Sequence, residues 1–504
     1  MSRLLGIDLG TSSVKVLLVD ETGQIIGRGS AEYAISHPHP NQAEQNPEEW
    51  WQATTLAVRQ ALASAAGPAN VAAIGFSGQM HGTVLLGPQG QLFAPAVIWP
   101  DQRSRPQVQE ITALIGAGRL IEITGSPVAT GFQAATIRWV QQEQPDLWRR
   151  VEMVLLPKDY VRWRLTGTYA TDPSDGSSTL LLDVRRRDWS PLLLAALGVD
   201  AAQLPPVQPS TAVVGALSRE AAGAFGLPPG IPVITGAGDT PAGILGAGVV
   251  SPNTLLLTIS TGGQLVVPAP NVHVDLSGRL HTFCGALAPA PHQAGWYQMA
   301  AILSAGMALR WLRDAVLGVQ GEDAYARMVA WAEQVPVGAG GLLFLPYLVG
   351  ERTPHMDPQA RGLFLGLTAR HGRAELVRAV MEGVALACYD AYQVLVEVGA
   401  TPHRVIMAGG GARSRLWQQI VADVFGLPVQ RLEIAEQSAV GATLLAGGGL
   451  GLFDPGATAH AWARYGAPVK PTPQHHARYE DLLALFRSAY QKYRDDFRQL
   501  QDFQ

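Results

Sequence analysis

Two apolar runs open the chain, Leu4 to Asp8 and Val14 to Asp20, separated by the polar turn Gly10-Thr11-Ser12-Ser13 and followed by a second turn at Thr22-Gly23. That pattern predicts β-hairpins. Asn46 then suits a helix cap, with Pro47 at the first position and Glu48 and Glu49 in the first turn of a helix reaching about Ala65. Val71 to Phe76 reads as a buried strand, and helix–strand alternation returns around Val151 to Leu156, Ile231 to Thr235 and Val405 to Met407. Such alternation indicates an α/β fold with buried sheets. Pro205-Pro206, Pro209, Pro228-Pro229-Gly230 and the glycines 243, 246 and 248 mark a candidate boundary near Gly248, dividing the chain into domains 1–248 and 249–504. A faint echo links the halves: Leu4 to Val16 and Leu255 to Val267 both read strand, Gly/Ser/Thr turn, strand. Duplication of one module accounts for the echo, and so does the commonness of such hairpins.

A length of 504 residues agrees with two domains, since single cores stop growing at about 250–300 residues. A cleft between them is the natural ligand site. Net charge is -4 and only 15% of residues are charged, with no basic block or acidic tail, which argues against nucleic-acid or membrane-surface partners. Apolar stretches are interrupted before the roughly 18 residues of a membrane span, and the first residues read as a strand rather than a signal peptide, so a cytoplasmic location is expected. Cys284 and Cys388 are too few for a disulfide framework or a four-thiolate zinc site. The segment Arg478 to Gln504 reads as an amphipathic helix, suited to core packing or to the subunit contact of a homodimer.

Three stretches carry candidate chemistry. In Gly6-Ile7-Asp8-Leu9-Gly10-Thr11-Ser12-Ser13-Val14-Lys15, an acid at a strand end adjoins a turn rich in backbone donors and hydroxyls. Gly10, Thr11 and Ser12 suit phosphate oxygens, Lys15 adds charge, and Asp8 suits Mg2+, directly or through water. A capped hairpin, with Asp8 bonding its own turn, uses the same residues. In Ile231 to Pro241, an apolar strand and Gly236-Ala237-Gly238 lead to Asp239 just ahead of a helix that Thr240 would cap. The helix dipole there favours an ionised carboxylate, as a proton acceptor requires, although an acid that merely stabilises a helix start looks the same. Gly409-Gly410-Gly411-Ala412, after the Val405 strand, lets a flat base approach bare backbone or serves as ordinary loop.

Absent patterns narrow the classes. None of the four lysines follows a glycine, which removes the P-loop signature. No His-Glu-x-x-His occurs, and Gly75-Phe76-Ser77-Gly78-Gln79 lacks the final glycine of a hydrolase elbow. Pro241 stands where a dinucleotide fingerprint needs its third glycine.

From Leu4 to Phe453 the chain resembles the FGGY carbohydrate kinases. Within that family Ser77-Gly78-Gln79-Met80-His81-Gly82 and Thr171-Asp172-Pro173-Ser174-Asp175 are similar to motifs of the xylulokinase subgroup. Phe344 to Leu348, Gly350 to His355 and Gly362 to Leu367 resemble the C-terminal signature. The resemblance implies a duplicated actin/hexokinase-like (ribonuclease H-like) fold around a central cleft, with ATP and Mg2+ and the C5 hydroxyl of D-xylulose as acceptor. It implies Asp239 as general base and Asp8 as the acid near metal and phosphate. Gln79, Met80 and His81 would contact the sugar, together with Asp239. Thr261 and Gly262 would join the first turn in holding phosphates, and Gly306, Gly410, Gly411 and Ala412 would flank adenosine. Glu351-Arg352 and His355 read as structural, an ion pair fixing a loop. Thr240, Pro100, Thr136 and Ser260 depart from the subgroup's usual Asn, Asn, Lys and Gly, which leaves another ketose or polyol, such as ribulose or glycerol, as an alternative acceptor. Retention of Asp8 and Asp239 argues against a non-catalytic sugar-binding relative.

Overall fold

A computed structural model describes residues 2–65, 70–291 and 293–503. The chain forms two compact units, one of Met1–Ser251, Pro268–Tyr297 and Glu436–Ala463, the other of Pro252–Val267, Gln298–Ala435 and Arg464–Gln504. The first crossing, after Ser251, lies close to the expected boundary, but two later segments return to the first unit. Packing explains one return: the helix Gln437–Gly449 lies against the first sheet so closely that a Cβ on Gly6 would sit 2.3 Å from Ala439 O, and one on Gly75 2.0 Å from Ala442 O. Only bare backbone admits that approach.

The first unit is built on a seven-stranded sheet. Arg3–Leu9 pairs antiparallel with Ser13–Asp20, which pairs with Ile25–Glu32, while the other edge of Arg3–Leu9 runs parallel to Val71–Gly78. The helix Pro47–Ser64 makes the crossover; as expected, Asn46 accepts from the Glu48 amide at 3.0 Å and Pro47 leads. Beyond Val71–Gly78 lie Pro232–Ile234 and Val213–Ala216. Leu5, Ile7, Val16, Trp50, Ile74 and Phe76 are among the fully buried core residues of this unit.

The second unit repeats the opening motif. Thr254–Ile259 pairs antiparallel with Gly263–Ala269 and parallel with Arg404–Ala408, which is parallel to Val429–Arg431. A hairpin whose first strand has a parallel neighbour therefore occurs in both units, the structural form of the sequence echo. The helix Arg373–Glu397 is long and apolar enough by composition to cross a membrane, yet 83% of its most apolar window is buried in the protein. The C-terminal helix starts earlier than expected and spans Pro473–Gln499; Tyr479, Phe486 and Tyr490 are buried and Tyr490 donates to Asp357 at 2.8 Å, so it packs into its own unit. Gln504, the expected end of that helix, lies outside the described residues. Cys284 and Cys388 are buried and unbridged.

Candidate active site

Sheet register brings the two candidate carboxylates together. Asp8 is opposite Lys15 on one side and Ser77 on the other. Ala237 and Gly238 add a short strand beside Ser77 and Gly78, so Asp239 emerges at the same carboxyl ends of parallel strands as Asp8 and Gln79, where ligands of α/β sheets collect. Ser77 Oγ donates to Asp8 Oδ1 at 2.7 Å. Burial raises the Asp8 carboxyl, against the Ser77 hydrogen bond and the Lys15 charge. Burial, then the Asp8 charge, pushes the Asp239 carboxyl up to about 7, against hydrogen bonds from Thr240. The helix-dipole expectation is therefore reversed in sign: desolvation and a like charge outweigh the helix start.

Thr240 is not the cap. The helix Asp239–Gly246 is preceded by Gly238, and Thr240 turns back, its amide donating to Asp239 Oδ1 at 2.6 Å and its hydroxyl lying 3.3 Å from the same atom. A short side chain at this departing position fixes the carboxylate instead of reaching outward.

The Gly10–Ser13 turn is held from behind. Gly10 N donates to Ser13 O at 3.0 Å, Tyr33 O–H donates to Gly10 O, and Gln45 Nε2 donates to Thr11 O at 2.7 Å. With those carbonyls engaged, the amides of Thr11 and Ser12 have no protein acceptor among the described residues, which leaves two donors beside Asp8 for an anion. Gln79 serves this bracing. Its amide donates to Leu9 O at 2.7 Å and its Nε2 to Gln45 Oε1 at 2.8 Å, while its own Oε1 is buried without a partner.

Met80 is buried beneath the base loop: a Cβ on Gly238 would meet its Cγ at 2.8 Å. His81 has φ 74°, a left-handed backbone unusual outside glycine. Its amide donates to Ser178 Oγ at 3.2 Å, its Nδ1 lies 2.9 Å from Ser178 O, and its ring stacks on Phe132 at 3.9 Å. A carbonyl only accepts, so Nδ1 carries a hydrogen.

In the second unit Thr261, Gly306, Gly410 and Gly411 line one cavity of about 740 Å3, together with Tyr325 and Trp417. Gly306 opens a helix, its amide donates to Ser260 O at 2.8 Å, and a Cβ there would sit 2.3 Å from the same oxygen. Gly262 and Ala412 adjoin this lining without forming it. The signature loop of this unit is tied differently from the expected ion pair: Glu351 Oε1 accepts from the amides of Leu303 (2.8 Å) and Arg352 (2.7 Å).

Sequence reasoning quoted Ser77 in a motif without giving it a role, and missed Gln45, Tyr33 and Ser178. It also missed a fully buried charge cluster in which Lys158 Nζ lies 2.6 Å from Asp159, 2.9 Å from Asp172 and 3.4 Å from Asp175. The available signal was the density of charge in Lys158-Asp159-Tyr160-Val161-Arg162 between apolar neighbours.

The chain is similar to known sugar kinases over most of its length. An Escherichia coli (strain K12) xylulose kinase is 40% identical over 440 residues, 87% of this chain and 88% of the relative. A Bacillus subtilis (strain 168) xylulose kinase is 35% identical over 501 residues, 98% of each. The crystal structure of a xyloylose kinase from Brucella ovis superposes with a TM-score of 0.91 at 33% identity, covering 98% of this chain and 99% of that one. Residues 3–246 match the N-terminal domain of the FGGY family of carbohydrate kinases and residues 267–449 its C-terminal domain. Two carboxylates at the strand ends, a braced glycine turn and both matched domains thus place the chain in the FGGY family of carbohydrate kinases.

Proposed function

We propose that this chain transfers the γ-phosphate of ATP to the C5 hydroxyl of D-xylulose, giving D-xylulose 5-phosphate and ADP. The observation that carries the reading is the Asp8–Asp239 pair beside Met80-His81, with the Asp239 carboxyl at about 7. A base is most effective when its pKa lies near the working pH. The xylulose kinases to which the chain is 35–40% identical over most of its length support the choice of sugar.

In the proposed reaction the acceptor hydroxyl is hydrogen-bonded to Asp239. As its oxygen forms a bond to the γ-phosphorus, the proton passes to the Asp239 carboxylate and the bond from phosphorus to the β–γ bridging oxygen breaks, releasing ADP. The His81 ring hydrogen-bonds a second sugar hydroxyl, and Met80 packs beneath the carbon skeleton. Thr11 and Ser12 amides bind phosphate oxygens, aided by Lys15. Gln79 acts behind the turn, through Gln45, rather than on the sugar. The second unit's cavity takes the nucleotide: about 740 Å3 falls in the range of small-molecule pockets. Gly306, Gly410 and Gly411 form bare-backbone walls there, with Thr261, Gly262 and Ala412 alongside.

The donor set fits magnesium. Mg2+ is usually held by one or two carboxylates completed by phosphates and water, and the described residues offer the Asp8 carboxylate but no group of three or more His, Cys, Asp or Glu able to hold an ion unaided. Bound there, magnesium supplies charge neutralisation at the transferring phosphate. A panel of D-xylulose, L-ribulose, glycerol and related acceptors with MgATP, read as ADP release, tests the reading. D-xylulose is expected to give the highest kcat/KM, and preference for another acceptor rejects the sugar assignment.

A further inference from the structure

Outside the two carboxylates, the most unusual chemistry in the first unit is the buried charge cluster. Lys158, Asp159, Arg162, Asp172 and Asp175 have no exposed surface. Arg162 is spent on Asp159 Oδ1 at 2.8 Å and on the carbonyls of Thr235 (2.7 Å) and Ala170. Lys158 shares Asp159 and gathers the two remaining carboxylates, Asp172 and Asp175, which belong to one short segment. Buried ions are a weak source of stability, because desolvation offsets most of their attraction, so a role in specifying geometry has to be sought in what they hold.

What they hold is the segment Asp172–Ser178, and that segment touches both halves of the proposed sugar site. Asp172 Oδ2 accepts from the Ser174 hydroxyl and from Ser210 Oγ at 3.0 Å. Ser174 Oγ in turn accepts from the amide of Gly238, the residue before Asp239, at 3.2 Å. At the other end Ser178 Oγ lies 3.4 Å from Asp175 Oδ1 and accepts from the His81 amide, while Ser178 O accepts from His81 Nδ1. His81 keeps its left-handed backbone at this contact, a conformation that persists only where surroundings fix it.

We infer that Ser174 and Ser178, on a strut anchored by Lys158 through Asp172 and Asp175, are positioning residues: Ser174 sets the base loop at Asp239 and Ser178 sets the sugar-facing ring of His81. The inference rests on the proposed roles of those two residues. It assigns the arms different kinetic signatures. Ser174→Ala frees the Gly238 amide and lets the base drift, a fault in the chemical step. Ser178→Ala removes the hydroxyl that receives the His81 amide and leaves the Ser178 carbonyl on Nδ1, so the His81 backbone loses one of its holds, a fault in sugar binding.

The test measures both variants with saturating MgATP, alongside thermal unfolding and a crystal structure of Ser178→Ala. Ser174→Ala is expected to lower kcat about 10-fold with sugar KM changed less than about 2-fold, and Ser178→Ala to raise sugar KM about 10-fold with kcat nearly kept. ATP KM should stay unchanged in both, and His81 should leave positive φ in the crystal. Wild-type kinetics in either variant overturns the inference, whatever happens to the melting temperature. So does a raised KM with His81 unmoved, since the hydroxyl would then be acting on the sugar directly. If wild-type enzyme prefers a sugar other than D-xylulose, the substrate reading fails separately and the same ratios are read with the preferred sugar.

Discussion

Replacing Asp8 by Asn should move the acid limb of the enzyme's pH profile to lower pH. The Asp239 carboxyl is raised from 3.8 to about 7, first by burial and second by the Asp8 charge. At roughly 1.36 kcal/mol per pKa unit, that rise corresponds to about 4 kcal/mol against the charged form. Asp8→Asn keeps the shape and the burial but removes the like charge, so only the smaller share of the rise is lost. A nearby like charge of this kind is worth about one pH unit. The sign follows from the base's task. Asp239 must be ionised to accept a proton, so wild-type kcat/KM falls as pH drops through about 7, and the Asn variant holds its remaining rate down to about pH 6. The assay is kcat/KM for the sugar from pH 5 to 9 at fixed MgATP, which reports the enzyme form that meets the sugar. Turnover of the variant will be low because Asp8 also serves the phosphate site, yet the position of the limb does not depend on its height. An unmoved limb, or one displaced upward, refutes the electrostatic coupling of the two carboxylates.

Other perturbations test the scaffold. Gly75→Ala would put a Cβ 2.0 Å from Ala442 O, and the helix Gln437–Gly449 must shift to admit it; a loss of about 1–3 kcal/mol is expected in denaturant unfolding, while a neutral effect contradicts the close packing. Burial raises the Glu351 carboxyl from 4.5 to about 8. Its folded pKa exceeds its unfolded one, so its stabilising contribution is intact below about pH 4.5 and is lost as pH rises through about 8. Glu351→Gln, which can still accept the Leu303 and Arg352 amides, should flatten that decline in the urea midpoint; an unchanged slope assigns the decline elsewhere.

Much of this site was legible in the sequence because its parts are local. A strand, an acid and a glycine turn announce themselves within ten residues: Asp8 lies at a strand end, Gly10 to Ser12 lie in the following turn and Gly410-Gly411 follow a strand, whereas Asp239 opens its helix instead of preceding it. What escaped depends on partners distant in the chain. The Asp239 carboxyl is governed by Asp8, more than 200 residues away, and local helix-start reasoning gave the wrong sign. Gln79 belongs to a substrate-like motif, yet its amide is consumed by Gln45. The return of residues 436–463 to the first unit is visible only once glycines 6 and 75 are seen facing a helix backbone. Glu351 takes its hydrogen bonds from two backbone amides, with the Arg352 charge a lesser influence, because sequence cannot tell which donors a folded loop will aim inward.

The central claim is that Asp239 takes the acceptor's proton, and Asp239→Asn tests it most directly. With D-xylulose and MgATP, turnover should drop by about three orders of magnitude or more, since the amide is a poor proton acceptor, with nucleotide affinity held within about 2-fold. Turnover within a few fold of wild type would contradict the account.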